Sequence, residues 1–313
     1  MLALPAEQTW PMSGPAGHVL CSNRDLIGCN WVSEFSATSK LCQSCAHTIK
    51  IPDISVDEKR LQWSRLERAK RRLFYAIIKL KLPLNNGGDS SEGALRFELV
   101  GDGFHPNGQK KRVMTGHDNG LITINIAEAD DALREKNRIA MGEPYRTLIG
   151  HFRHEVGHYY WDKLVDKDGV IDEFRACFGD ERQDYSQALE VYYANGPVPN
   201  WVDSYVSAYA TAHPWEDFAE TWAHYFHMVG GLETAYAYGL NPQPLQKGAP
   251  YLEQLTDPYH VSDYAQLLSH WVPITVAMNA MNRSIGNSEY YPFTLSQSVA
   301  DKLKFIHTLI AGQ

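Results

Sequence analysis

The sequence lacks the run of about 20 apolar residues that a helix needs to cross a bilayer, so a helical membrane protein is not expected. It also lacks an excess of positive charge. The formal net charge is -8, which argues against nucleic acid or an anionic membrane as partner and leaves room only for a local basic patch. Its start, MLALPAEQTWPMSG, has neither the basic flank nor the long apolar core of a secretory signal. Val19 to Cys21 make a poor lipoprotein cleavage site. Internal repeats and long low-complexity tracts are missing, and nothing in the chain sets an oligomeric state. Cysteine is scarce, at five residues, but unevenly spread. Cys21, Cys29, Cys42 and Cys45 cluster near the N-terminus, whereas Cys177 is isolated and is expected as a buried apolar residue. With no export signal the expected compartment is the cytoplasm. In a reducing compartment a four-cysteine cluster reads as metal ligands before disulfides.

What is present divides the chain into an N-terminal lead-in and zinc-ribbon module, residues 1–55, and a larger domain, residues 56–313. Cys42-Gln43-Ser44-Cys45 is the short knuckle of a zinc ribbon. Cys21 and Cys29 are more widely spaced than usual, so His18 or His47 remains an alternative to one thiolate. Ser55-Val56-Asp57-Glu58 has the pattern of a capping box and predicts a helix that ends before Pro83. Leu66, Leu73, Ile77 and Leu80 form its apolar stripe. Arg65, Arg68, Lys70, Arg71 and Arg72 crowd the other face, which is expected to be solvated. The composition of residues 83–94 predicts a loop. Strands are expected in ALRFELVG and in the β-branched stretch from Gly120 to Asp130, which includes Ile126. Helices follow, and Thr294-Leu295-Ser296-Gln297 predicts the cap of a last amphipathic helix through Leu303 and Ile306. The fold class is therefore α+β, mainly helical in its second half.

The chemistry centres on HFRHEVGHYYWDKL, in which His154-Glu155-Val156-Gly157-His158 has the form H-E-x-x-H. On a helix, residues four apart share a face, so both histidines can grip one ion. Glu155 lies beside them, placed to take a proton from a water acidified by zinc. A third ligand is needed. The metzincin pattern would place Gly and His where Trp161 and Leu164 stand, so that class is excluded. A later glutamate is the remaining common solution, with two candidates. Glu216 and Glu220 lie four apart in HPWEDFAETWAHYFH, where Pro214 suits a helix start. One carboxylate could bind zinc while the other orients a ligating histidine. Glu181, in FGDERQDY, is the alternative, although its neighbours read as a helix-terminal charge network. His224 and His227 are expected as packing or surface residues.

The run from TGHDNGLITINIAEADD to GHFRHEVGHYYWDKL, with FGDERQDY and VSAYATAHPWEDFAETWAHY, resembles a bacterial family of zinc-binding metallopeptidases with N-terminal zinc ribbons. The resemblance covers nearly the whole chain. It implies a zincin-like catalytic domain and a small ribbon. A more distant similarity links H-E-x-G-H and Glu216-Asp217-Phe218-Ala219-Glu220 to the catalytic domain of anthrax lethal factor, a gluzincin. That similarity implies Glu216 as the zinc ligand and Tyr209, with Tyr205 as alternative, as hydrogen-bond donor to an oxyanion. The family resemblance also implies a further C-x-x-C…C-x-x-C ribbon, which this sequence does not carry before Cys21. The resulting expectation is a zinc peptidase holding two Zn2+ ions, one catalytic and one structural, and acting on a peptide or protein. Its rivals are a ribbon adaptor with a non-hydrolytic metal site and a hydrolase of non-peptide amides.

Overall fold

A computed structural model describes residues 17–34, 39–104, 109–140, 146–167, 169–245, 247–248, 250–252 and 254–312. The chain forms two compact units. The first comprises Met1–Ile77, Pro83–Gly142 and Arg146–Tyr159, and the second Ile78–Leu82, Glu143–Tyr145 and Tyr160–Gln313. The mixed helix and sheet content, mainly helical after the H-E-x-x-H segment, is the α+β class expected from the order of elements.

In the first unit a hairpin of β1 (His18–Leu20) and β2 (Val32–Glu34) and two single-turn helices, α1 (Arg24–Ile27) and α2 (Gln43–Ala46), carry the four clustered cysteines. Next come β3 (Thr48–Lys50) and the 23-residue helix α3 (Asp57–Lys79). Then follow β4 (Arg96–Val100), the small pair β5 (Gly103–Phe104) and β6 (Lys110–Lys111), β7 (Gly116–Asp118) and β8 (Leu121–Asn125). The main sheet has the order β3-β4-β8-β7; β3, β4 and β8 run parallel and β7 is antiparallel to β8. Alternation along β4 and β8 buries Phe97, Leu99, Ile122 and Ile124 on one face, as a period of two requires. Helix α4 (Asp131–Ala140) precedes α5 (Leu148–Tyr160), which carries H-E-x-x-H. Phe152 of α5 meets Phe97 of β4, and Phe97 meets Phe74 of α3, with centroids 5.9 and 5.8 Å apart. This aromatic chain fixes the rotation of α5 on the sheet.

Four expectations need correction. The strand from Gly120 ends at Asn125, because the Asn125 side chain accepts from Ala127 N–H at 3.0 Å and turns Ile126–Ala129 into a 3-10 helix. Ser55 does not box the start of α3; its hydroxyl donates to Asp53 Oδ1 at 2.6 Å, and the helix opens two residues later. The basic face of α3 is not wholly solvated. Lys70 is fully buried and donates to Glu67 Oε1 at 3.0 Å, three residues back on the same helix, while Arg71 is also buried. At the far end of the chain the cap is Ser296, not Thr294: its oxygen accepts from Val299 N–H at 3.2 Å.

The second unit is helical. It contains α6 (Val170–Phe178), α7 (Tyr185–Asn195), α8 (Pro214–Ala237), α9 (Tyr264–Ser284) and α10 (Gln297–Ala311). Between α7 and α8 lies a 3-10 turn, Tyr209–Thr211. Pro214 opens α8 at its first turn as predicted, and His213 caps it, accepting from Trp215 N–H at 3.1 Å. α8 is the spine of this unit. Phe218, Trp222 and Phe226 are fully buried along it, and Tyr160 stacks on Trp222 at 5.1 Å. Among the described residues, no helix is long and apolar enough to cross a membrane.

Candidate metal centres

The N-terminal centre is built by four cysteines, all buried. Cys29 and Cys42 sulfurs lie 3.7 Å apart, and Cys29 and Cys45 sulfurs 3.8 Å apart. A tetrahedral ion with zinc–sulfur distances near 2.3 Å sets its sulfurs about 3.8 Å apart. The geometry therefore fits zinc and not a disulfide, whose sulfurs are bonded at about 2 Å. Cys42 N–H donates to Cys21 Sγ at 3.3 Å, a bond that a thiolate accepts better than a thiol. The alternative of a histidine ligand does not hold. His47 is engaged elsewhere, its ring nitrogens 2.7 and 3.0 Å from the carbonyl oxygens of Gln43 and Asn85, and His18 lies on β1 outside the ligand set.

Behind Cys45 sits a buried polar knot. Glu67 Oε2 is 3.9 Å from Cys45 Sγ, its Oε1 accepts from Thr48 at 2.6 Å and from Lys70 at 3.0 Å, and Lys70 also bonds Thr48. Burial holds the Glu67 carboxyl above its usual range, and the Lys70 ammonium pulls the other way. A cation here offsets the negative charge that four thiolates would concentrate. The sequence hid this role, since Lys70 lies in a run of surface-like bases.

The second centre begins on α5. His154 and His158 turn their Nε2 atoms to the same point, 3.2 Å apart, with ring planes at 85°. A tetrahedral ion at zinc–nitrogen distances of about 2.0–2.1 Å sets two imidazole nitrogens about 3.3 Å apart. Glu216 is buried in the first turn of α8, and one atom each of His154, His158 and Glu216 lie within 4.8 Å of one another, a group that could hold a metal ion. Two neutral nitrogens and a carboxylate are a donor set that fits catalytic zinc. Glu155, between the histidines on α5, is buried as well.

Glu216 is itself held. Tyr185, the first residue of α7, donates from its phenol to Glu216 Oε1 at 2.5 Å. Tyr185 carries no signal in the sequence, because a hydrogen bond spanning 31 positions leaves no local pattern. Four residues past Glu216, Glu220 accepts from Ser207 Oγ at 2.6 Å. Tyr209 is edge-on to Tyr192 at 5.6 Å. Burial first, then the negative charge of Glu216, keeps its phenol protonated far above the normal range. Tyr205 is occupied differently, lying under the Lys302 ammonium at 4.3 Å. Glu181, the alternative ligand, is taken by Arg175, which grips both its oxygens. His224 is a packing residue, its Nδ1 2.8 Å from the Tyr291 hydroxyl. Cys177 is half-buried rather than buried, and desolvation pushes its thiol up to about 11.

One residue is gained beside the ligands. His117 of β7 faces His158, ring centroids 6.3 Å apart and planes at 18°, and its Nε2 accepts from Gly120 N–H at 2.9 Å. Burial, with the neighbouring His158, lowers its pKa to about 4, so it is neutral at physiological pH.

Set against known proteins, residues 59–309 match the family described as "Putative zinc-binding metallo-peptidase". The chain belongs to that family. Residues 2–56 match a zinc-ribbon domain, in agreement with the four-cysteine centre. Similar proteins include uncharacterized proteins of Mycobacterium bovis and Mycobacterium tuberculosis, each 41% identical over 292 residues, covering 93% of this chain and 82% of theirs. No solved structure matches the chain. Membership of a zinc-binding metallopeptidase family accords with both donor sets.

Proposed function

We propose that the chain is a gluzincin-type zinc peptidase that hydrolyses peptide bonds, with His154, His158 and Glu216 as metal ligands and Glu155 as general base. The observation that carries this reading is the convergence of two imidazole Nε2 atoms, 3.2 Å apart, with a Glu216 oxygen in the same ligand group. Zinc, when bound there, supplies a Lewis acid that acidifies water and polarises a carbonyl. Glu155 takes the proton of the attacking water and delivers it to the leaving amine. Tyr209 donates to the oxygen that gains charge; its phenol, held protonated by burial and nearby carboxylates, stays a donor throughout the physiological range. The cation–π contact of Tyr205 with Lys302 favours Tyr209 over Tyr205 for this part. Tyr185 fixes the carboxylate of Glu216 in its ligating orientation. Glu220 braces the loop before Tyr209 through Ser207. In this reading the ribbon holds a second, structural zinc and does no chemistry.

The test is Glu155→Gln. That variant removes the base and keeps the shape, so it should bind as much zinc as wild type while hydrolysis of a peptide library falls by at least about a hundredfold. Equal hydrolysis by variant and wild type would remove Glu155 from the mechanism. The family assignment and the net charge of -8 support the peptidase reading over the adaptor reading.

A further inference from the structure

A cavity of about 510 Å³ opens in the second unit along α7. Ala188, Val191, Val198 and Ala212 give it apolar walls, Gln187 and Thr211 neutral polar ones, and Asp184 the carboxylate at its rim. We propose that this cavity receives a bulky uncharged side chain of the polypeptide substrate, and that Asp184 turns acidic side chains away. The proposal rests on the peptidase reading and names the specificity of the same site.

Three observations lead to it. The first is continuity with the metal-ligand machinery. Tyr192, which lines the cavity, has its ring edge-on to Tyr209 at 5.6 Å. Tyr185, one turn before Ala188 and Leu189 on α7, donates to Glu216. Gln183, also in the lining, accepts at its carbonyl from His213 Nε2 at 3.2 Å, and His213 caps the helix that carries Glu216. A residue seated in the cavity would thus adjoin the segment that bears the proposed oxyanion donor.

The second is an apolar surface that the chain leaves uncovered. α7 has 11 residues and buries none of them. Val191 is 54% exposed, and Tyr193 67%. A single exposed apolar residue needs no explanation, but a helix with no fully buried residue, only Ala188, Leu189 and Tyr192 being half-covered, suits a binding surface where it borders a cavity. The third is chemistry. Wall carbons predominate, the volume falls within the range of small-ligand sites, and among the described residues no basic one lines the space. An apolar or aromatic side chain would gain from burial there, whereas a carboxylate would meet Asp184.

The experiment measures binding rather than turnover. The zinc-loaded full chain bearing Glu155→Gln is presented with a peptide library randomised at each position. The expected result is enrichment of Phe, Tyr, Leu or Met, and depletion of Asp and Glu, at one position. Adding Ala188→Trp, which intrudes on the cavity from α7, should weaken binding of the bulky peptides by roughly tenfold or more and leave Gly and Ala peptides unaffected. Adding Asp184→Asn keeps a competent N-cap for α7, where the Asp184 carboxylate now accepts from Gln187 N–H at 2.9 Å, and should admit acidic residues at that position. Circular dichroism and zinc content, unchanged in both, would exclude misfolding; should Ala188→Trp misfold, Asp184→Asn alone decides. No enriched peptide with the parent protein, or preferences unmoved by both substitutions, would overturn the subsite. If the preferences move as stated but wild type hydrolyses none of the enriched peptides, the catalytic reading fails and the subsite stands.

Discussion

Tyr185 braces a candidate metal ligand without belonging to the ligand group itself. Its phenol donates to Glu216 Oε1 at 2.5 Å, a short bond to an acceptor that must stay ionised to ligate. Tyr185→Phe removes that donor and little else, so zinc affinity of the H-E-x-x-H centre should fall about 10- to 100-fold. Competition with a chelator of known affinity measures it, and an unchanged affinity would show that Glu216 needs no brace. Cys177 makes the opposite case. Its thiol, raised to about 11 by desolvation, carries almost no thiolate below pH 9. The four ribbon cysteines are buried in their ligand set. Zinc-loaded protein at pH 8 should therefore expose one slow thiol to an aromatic disulfide reagent, and a strong chelator should release four more. Rapid reaction of all five before chelation would contradict a loaded ribbon.

Among the elements, α8 is the one whose placement matters most, because its first turn holds Glu216. The next residue, Asp217, is fully buried and accepts from Lys302 of α10 at 2.6 Å. The same ammonium donates to the Ser204 carbonyl at 2.7 Å, which ties α10 to the segment leading to Tyr209. Burial already raises the Asp217 carboxyl to about 7 beside Lys302, so taking the ammonium away forces the carboxyl to protonate and leaves a buried polar group without its partner. Lys302→Met alone should cost about 3–5 kcal/mol in unfolding free energy. Paired with Asp217→Asn it should recover most of that loss, because no carboxyl is then forced to protonate. Denaturant unfolding of the two variants checks this; equal destabilisation would mean that shape, not charge, sets the cost. Elements were legible where local pattern governs them. H-E-x-x-H, the Pro214 start of α8 and the two strands ALRFELVG and GLITIN all carry their periodicity or punctuation in the chain. Where a side chain chose its own partner, pattern failed: Asn125 ended β8 early, and Ser55 turned to Asp53. β7 escaped notice because three residues, GHD, show no alternation of their own.

On the scale of the whole molecule, the sequence carried two candidate metal centres in the residue types that could make them. Four cysteines within 25 positions read as metal ligands, and the sulfur separations of 3.7 and 3.8 Å accord with that. The third ligand was harder, since Glu181 and Glu216 both lie in helical, acidic segments. Arg175 grips Glu181, whereas a Glu216 oxygen lies in the candidate group with His154 and His158, which favours Glu216. Buried pairs such as Glu67–Lys70 were illegible, because a base inside a run of bases looks like surface until its acid is located in space. The metallopeptidase family matches residues 59–309 and the zinc-ribbon domain residues 2–56.

The most direct measurement is zinc per chain, taken by elemental analysis on wild type and His158→Ala purified in parallel. The four-cysteine site does not depend on His158, and the second site cannot keep its ion with one imidazole removed. Two zinc ions per wild-type chain and one per variant chain are expected. One ion in both proteins would contradict the H-E-x-x-H centre and leave the ribbon as the only loaded site.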